Sequence, residues 1–448
     1  VSQQPVTVPE TAPGLVPGLS AAAVRALSDL KNDPAWLADL RQQAWAAFER
    51  LPLPSRTDED WRRTDLRALD LNAFQPFREP HPAGRPADLP AVFQQFLTEE
   101  GAKAGLLLQR DSAAVFQQLA PDLARQGVLL TDLDTAARAY PDLVREHLHR
   151  LVRFDEDKFT ALHAAFCSGG ALVYVPEGVE VALPLQVVYW LTTPGLGLFT
   201  HTLVIAEPGS SLTFIDEYLS LDEAPALHCG VVEVFAKEGA QVRYVHLQQW
   251  GRSVWNFGRV RVHADRDSAV NELIVALGSR LTKTYVDSLM AGPGASAEIL
   301  GLLFGDGQQH LDHQTLQEHR APHTSSDLLF KAALKDRARS VYNGLIRIHR
   351  VAQRADAYQA NRNLVLSDTA RADSIPRLEI EANDVRCTHG ATVGPVDPEQ
   401  LFYLMSRGLS RAAAERLIVE GFFEPVLERV PLAGLQERLR AAISVKIG

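Results

Sequence analysis

Cysteine is scarce: only Cys167, Cys229 and Cys387 occur in 448 residues, widely separated and with no C-x-x-C pair. Such a set builds neither a disulfide framework nor a self-contained zinc site, and a reducing compartment is the simpler expectation. No stretch approaches the ~18 uninterrupted apolar residues that cross a bilayer, and the N-terminus lacks the basic-then-apolar pattern of a secretory signal. A cytoplasmic chain without a membrane span is expected. Long Lys/Arg runs are missing too, and the net charge is -10, so there is no basic face to neutralise a row of phosphates and nucleic acid is excluded as a partner class. The chain has no G-x-x-x-x-G-K-[ST] loop and not even a Gly-Lys pair, so any nucleotide-derived energy must come from another protein. The G-x-S-x-G elbow and the H-E-x-x-H helix are likewise absent.

What is present reads as a folded protein, with 46% hydrophobic and 22% charged residues. Residues 1–18 are Pro-rich and aperiodic, which predicts a disordered tail. Residues 19–160 are expected to be mostly helical. Ser20 caps a first helix, Asp33-Pro34 pairs a cap with a first-turn proline, and Leu37, Leu40, Ala44 and Phe48 line one apolar face.

From about Phe166 the pattern changes to short β-rich runs separated by Gly, Pro, Asp or Ser, such as "ALVYVPEGVEV" and "HTLVIAEPG". Small-residue turns recur before Leu212, Val242, Val270 and Ala297, at steps of 30, 28 and 27 positions, the period of stacked solenoid coils. Later turns before Ser340 and Ala372 continue the repeat less regularly. The lack of long helices up to Val393 argues against βαβ units and a TIM barrel, so the fold class is mainly β, with a parallel β-helix over 161–395. End coils of such a fold carry unpaired backbone groups that must be capped or used for a partner. A helical C-terminal domain, 396–448, then begins at the cap Asp397-Pro398-Glu399-Gln400. It is rich in apolar groups (Leu417, Ile418, Phe422, Phe423, Val426, Leu427), some for packing on the β region and some for a partner.

Three constellations carry candidate chemistry. In "EIEANDVRCTHGATVG" an extended backbone points Cys387 and His389 to one side, where thiolate and imidazole make part of a metal or cluster site; a plain strand end with a buried thiol is the other reading. Two ligands are incomplete, so a partner surface would supply the rest. His310, His313, His319 and His323 sit in a β pattern without carboxylates at fixed spacing, which favours solvent-facing or turn-bonding histidines over a metal site. Glu379, Glu381 and Asp384 imitate the paired carboxylates of a β-helix polysaccharide lyase or hydrolase, although a solvated acidic edge is the commoner outcome. A polymer-cleaving enzyme would also need a secretion route.

Three longer stretches, "LPLPSRTDEDWRRTDL", "AAFCSGGALVYVPEGVEVALPLQV" and "RADSIPRLEIEANDVRCTHGATVGPVDPEQLFYLMSRGLSRAAAERLIVEGFF", resemble the SufB/SufD family of iron-sulfur cluster assembly proteins. The resemblance implies a right-handed parallel β-helix flanked by helical N-terminal and C-terminal regions. It implies a SufB-SufC-SufD assembly in which the two paralogues pair through their β-helices. Each C-terminal helical domain there holds one SufC-like ABC ATPase, whose ATP-driven dimerisation strains the pair. "CTHGATVG" lacks the His-Glu sequence usual in SufB-like chains and is similar to the SufD-like branch. On that likeness the expected role is a non-enzymatic scaffold subunit with a SufB-like partner, or a homodimer when isolated. His389 is the implied interface ligand, with Cys387 its neighbour. No cofactor is expected to bind the isolated chain tightly; iron or an iron-sulfur cluster passes through the complex transiently. Cys167 and Cys229 are expected to be structural.

Overall fold

The computed structural model describes residues 18–77, 89–98 and 103–448; apart from Gly18, the tail expected over 1–18 lies outside them. From Gly170 to Pro395 the chain runs as strands of three to eleven residues. Each later strand pairs in parallel with the strand two places on rather than with its sequence neighbour. One sheet carries Gly170–Val175, His201–Ala206, Ala226–Ala236 and every second strand up to Arg371–Ile380; the other carries Leu185–Leu191, Ser211–Ser220, Gln241–Gln249 and the alternate strands up to Arg386–Pro395. The result is a β-solenoid of about eight turns, flanked by N-terminal and C-terminal helices.

The register follows the turn repeat. Leu212, Val242, Val270 and Ala297 are Cα partners in adjacent coils, and the same row continues through Ser326 and Ala357 to Cys387. The later turns that fitted the period less well belong to the opposite sheet, where Ser340 pairs with Ala372. Corners are turned by residues such as Gly239 (φ 67°) and Gly294 (φ 78°), where a side chain would be strained. Strand alternation sends one set of residues inward. Val173, Val204, Val234, Val262, Ile274 and Phe330 are fully buried in the core that runs along the solenoid. At about 1.5–3 kcal/mol per buried side chain, these rows from the two sheets and their neighbours supply most of the driving force for stacking.

The β structure reaches further toward the N-terminus than expected. Gly105–Arg110 ("GLLLQR") pairs in parallel with Leu185–Leu191, and two antiparallel strands, Ala113–Leu119 and Leu129–Asp132, end the two sheets on that side. A short apolar run looks alike as strand or helix in isolation, and here sheet pairing decides it.

The outer faces are covered differently. Helices Ala21–Lys31, Ala35–Arg50 and Lys158–Phe166 and the Trp61 turn pack on the first sheet; Phe159 stacks on Phe257 at 3.8 Å between ring centroids and on Trp61 at 5.5 Å. Buried Arg41 clamps this layer, with Nε 2.6 Å from Asp33 Oδ2 and Nη1 donating to the Cys167 carbonyl. The C-terminal helices Arg411–Leu427 and Ala433–Ile447 lie on the second sheet, where Val419, Phe423, Val426 and Leu439 bury against Val245, Leu247, Leu302 and Phe304. Among the described residues, no helix is long and apolar enough to cross a membrane.

Close stacking leaves no room at some corners. A Cβ on Gly278 would lie 2.0 Å from the Trp250 carbonyl oxygen, which as backbone cannot yield, whereas a Cβ on Gly390 would meet nothing within 4 Å. Gly278→Ala should therefore lower the urea midpoint by the equivalent of about 1–3 kcal/mol. Gly390→Ala should leave it unchanged. Equal midpoints for the two variants would show that the coils are not packed as described.

Candidate functional site at the open end of the solenoid

The two sheets end on ten-residue strands, Arg371–Ile380 and Arg386–Pro395, that pair on one side only. Backbone N–H and C=O groups along such an edge lack ladder partners, the usual template for strand addition. Cys387 pairs with Ala357 and His389 with Gln359, both buried inward-facing positions, so both site residues prolong interior rows at the solenoid's mouth. His389 tops the row Phe214, Tyr244, Glu272, Ile299, Leu328, Gln359. It is exposed, and among the described residues no further coil covers it.

Cys387 is half-buried, packed beside Ile346, Ile348, Ala357 and Ala382, and this burial pushes its thiol pKa up. Directly beneath His389, Gln359 has a buried side-chain oxygen without a hydrogen-bond partner, as has the Ser374 hydroxyl on the opposite end strand. Leu378, Ile380, Tyr358 and Val393 are large apolar side chains exposed around the same end. The mouth thus combines bare ladder edges, apolar surface and one accessible imidazole.

Two family models match the chain. "SUF system FeS cluster assembly, SufBD core domain" covers residues 189–422, and "SufBD protein N-terminal region" covers 29–187. The chain belongs to the SufB/SufD family. It is 33% identical over 430 residues to the iron-sulfur cluster assembly protein SufD of Bacillus subtilis, covering 95% of this chain and 97% of that protein. The SufB of the same organism is 30% identical over 425 residues, 93% of this chain and 90% of that protein. A SufBD family protein of Staphylococcus epidermidis matches at 30% over the same length. The chain is therefore an iron-sulfur cluster assembly protein of that family.

The other sequence candidates separate. His313 and His319 are buried on inward-facing positions, not in solvent; the His319 ring lies 2.8 Å from Thr324 Oγ1 and 2.9 Å from Ser326 Oγ. A histidine on a strand reads as exposed only when its parity is unknown, and parity is set by the register. His310 meets Thr64 Oγ1 at 2.9 Å, and His323 turns an exposed corner at φ 59°. Glu379 is held by Arg347 at 2.7 Å and Asp384 lies 3.5 Å from Arg354, both exposed, so the acidic set forms a solvated edge rather than an acid/base pair, and the polymer-cleaving alternative is not favoured.

One constellation had no sequence motif. His149, His163 and His201, on three separate elements, offer ring nitrogens within 4.8 Å of one another. Their spacing of 14 and 38 positions follows no metal-binding pattern, and only the docking of the N-terminal layer on the sheet assembles them.

Thiol accessibility offers a direct check. Cys167 and Cys229 are buried, with burial driving the Cys167 pKa up to about 12 and that of Cys229 well above its ordinary value. In the native chain a maleimide should modify Cys387 alone, slowly at neutral pH and faster as alkali deprotonates the raised thiol. Comparable labelling of Cys167 or Cys229 by mass spectrometry would contradict the packing of both.

Proposed function

We propose that this chain is a non-enzymatic scaffold subunit for iron-sulfur cluster assembly. Its open β-helix end pairs with a SufB-like paralogue, its C-terminal helices dock a SufC-like ABC ATPase, and His389 helps hold iron or a nascent cluster at the paired ends. The observation that carries this reading is the pair of ten-residue edge strands whose inward row ends in exposed His389. A second solenoid end apposed there would satisfy the bare edge and bring its own ligands against the imidazole. An isolated chain would use the same end for a homodimer.

The ligand chemistry supports His389 ahead of Cys387. A neutral imidazole is a competent iron ligand and releases its cargo more readily than a full set of thiolates. The Cys387 thiol, with its pKa raised by burial, must first lose a proton to bind iron. Iron and cluster are cargo here, handed on rather than retained.

For the ATPase dock, the support is an uneven use of apolar groups. Phe423, Val426 and Leu427 are buried against the solenoid, whereas Phe402 (74% exposed), Tyr403 (55%), Met405 and Leu409 stand out on and after the helix Pro398–Ser406. Clustered aromatic and Met side chains of this kind are the composition of binding hot spots. Removing all residues beyond 397 would uncover Val245, Leu247 and Phe304, so point substitution is the cleaner probe.

His389→Ala should leave the three-protein complex assembled but lower the rate and yield of cluster formation more than Cys387→Ala does. Normal cluster building by the His389→Ala complex, read by iron and sulfide analysis under anaerobic conditions, would remove the ligand role. Separately, Phe402→Asp combined with Tyr403→Ser should weaken co-purification of the SufC-like ATPase at least tenfold while the SufB-like partner is retained. Undiminished ATPase binding would locate the dock elsewhere.

A further inference from the structure

The described residues contain a second cluster of metal-ligating side chains, far in sequence from the open end and buried between the N-terminal layer and the outer face of the first sheet. His149 follows the helix Pro141–His147 and adopts φ 57°; His163 lies in the helix Lys158–Phe166; His201 opens the strand His201–Ala206. Their ring centroids are 4.7, 5.2 and 5.5 Å apart, and all three side chains are buried.

The hydrogen bonds fix which nitrogen of each ring is free. His163 Nε2 lies 3.0 Å from the Thr200 carbonyl and His149 Nδ1 lies 3.1 Å from the Val152 carbonyl. A carbonyl only accepts, so each of these nitrogens carries the proton. His201 Nε2 lies 2.9 Å from Glu233 Oε2 and donates to it in the same way. The remaining nitrogens are His149 Nε2, His163 Nδ1 and His201 Nδ1. All three are buried and have no hydrogen-bond partner. A single unpartnered nitrogen is not unusual in this interior, since His313 Nδ1 is another. Three on mutually touching rings are a different matter, because each leaves a buried lone pair unsatisfied.

Glu233 supplies the outer support. Its carboxylate accepts from the backbone N–H groups of His149, Leu151 and Val152 as well as from His201, which ties the loop that carries His149 to the strand beneath. Imidazoles oriented from behind by a carboxylate and by carbonyls are the usual second layer of a histidine metal site. Burial also holds the rings neutral, with His149 lowered to about 4, His201 to about 3 and His163 well below its ordinary value, the protonation state that ligation requires.

We propose that His149, His163 and His201 form a binding site for a divalent first-row transition ion, zinc in the first instance, which fastens the N-terminal helical layer to the β-solenoid. Metal-nitrogen bonds of about 2.0–2.1 Å in a tetrahedron require nitrogens roughly 3.3 Å apart, so loading draws the three rings inward. A small cavity lined by Thr160, Cys229 and Gly230 reaches one member of the cluster, His163. The buried Glu233 carboxylate would then lie one imidazole away from a cation. This site is independent of the reading given to His389.

The test uses the full chain, dialysed against chelator and titrated with Co(II) alone. One equivalent should bind with the intense visible bands of a low-coordinate nitrogen site, Zn(II) should displace it, and the thermal midpoint should rise. His163→Gln and His201→Asn should each lower the affinity at least a hundredfold, whereas His389→Ala and Cys387→Ala should retain the full equivalent. Failure of the folded, metal-free chain to bind Co(II) would overturn the proposal, as would unchanged binding by either of the first two variants. If those variants do not fold, X-ray absorption of the zinc-loaded wild-type chain decides. Three imidazoles and no sulfur in the first shell support the site; any sulfur ligand sinks it.

Discussion

Everything in this molecule depends on the in-register parallel ladder, in which each coil satisfies the backbone and covers the interior row of the coil before it. Such a ladder has no internal reason to stop, so its two ends must be dealt with separately. Toward the N-terminus the sheets finish on antiparallel strands of seven and four residues, which reverse the chain direction and shorten the edge. At the other end they finish on ten-residue strands with no further strand beyond them among the described residues. The interior changes in step. Aliphatic rows of the early coils give way to Thr315, Gln317, Gln359, Asn361 and Asn363 near the mouth, side chains that tolerate water where the stack ceases to exclude it.

The flanking helices leave that end bare because they are committed to the sheet faces. Charged contacts fix their placement: buried Lys283 lies 2.8 Å from Asp312 while Thr64 bonds the same carboxylate, and Arg438 of the last helix reaches Glu217 on the second sheet. A buried ion pair adds little to net stability once desolvation is counted, but a displaced layer would strand one charge without its partner. These contacts therefore act on orientation more than on strength.

Much of this was legible in the sequence. The small-residue turns before Leu212, Val242, Val270 and Ala297 were spaced by the true register, because a corner needs small or left-handed residues wherever the coil bends. Following that row three coils further leads through Ser326 and Ala357 to Cys387, so the placement of Cys387 on the last coil was implicit in the same repeat. Ser340 and Ala372 looked irregular because their row lies in the opposite sheet, which composition does not reveal. The inward parity of His313 and His319 was hidden for the same reason. The three-histidine cluster was out of reach altogether, since its members meet only through the packing of a helix, a loop and a strand, and no local pattern records where separate elements dock.

The two ends also differ in what they offer a further strand. A solenoid with two bare ends would add units without limit, head to tail, and grow into a fibre. With one end shortened and reversed, the long parallel edge among the described residues is confined to the other end. Pro376, within the terminal strand Arg371–Ile380, removes one backbone donor from that edge. Directionality is thus written into the termination of the ladder.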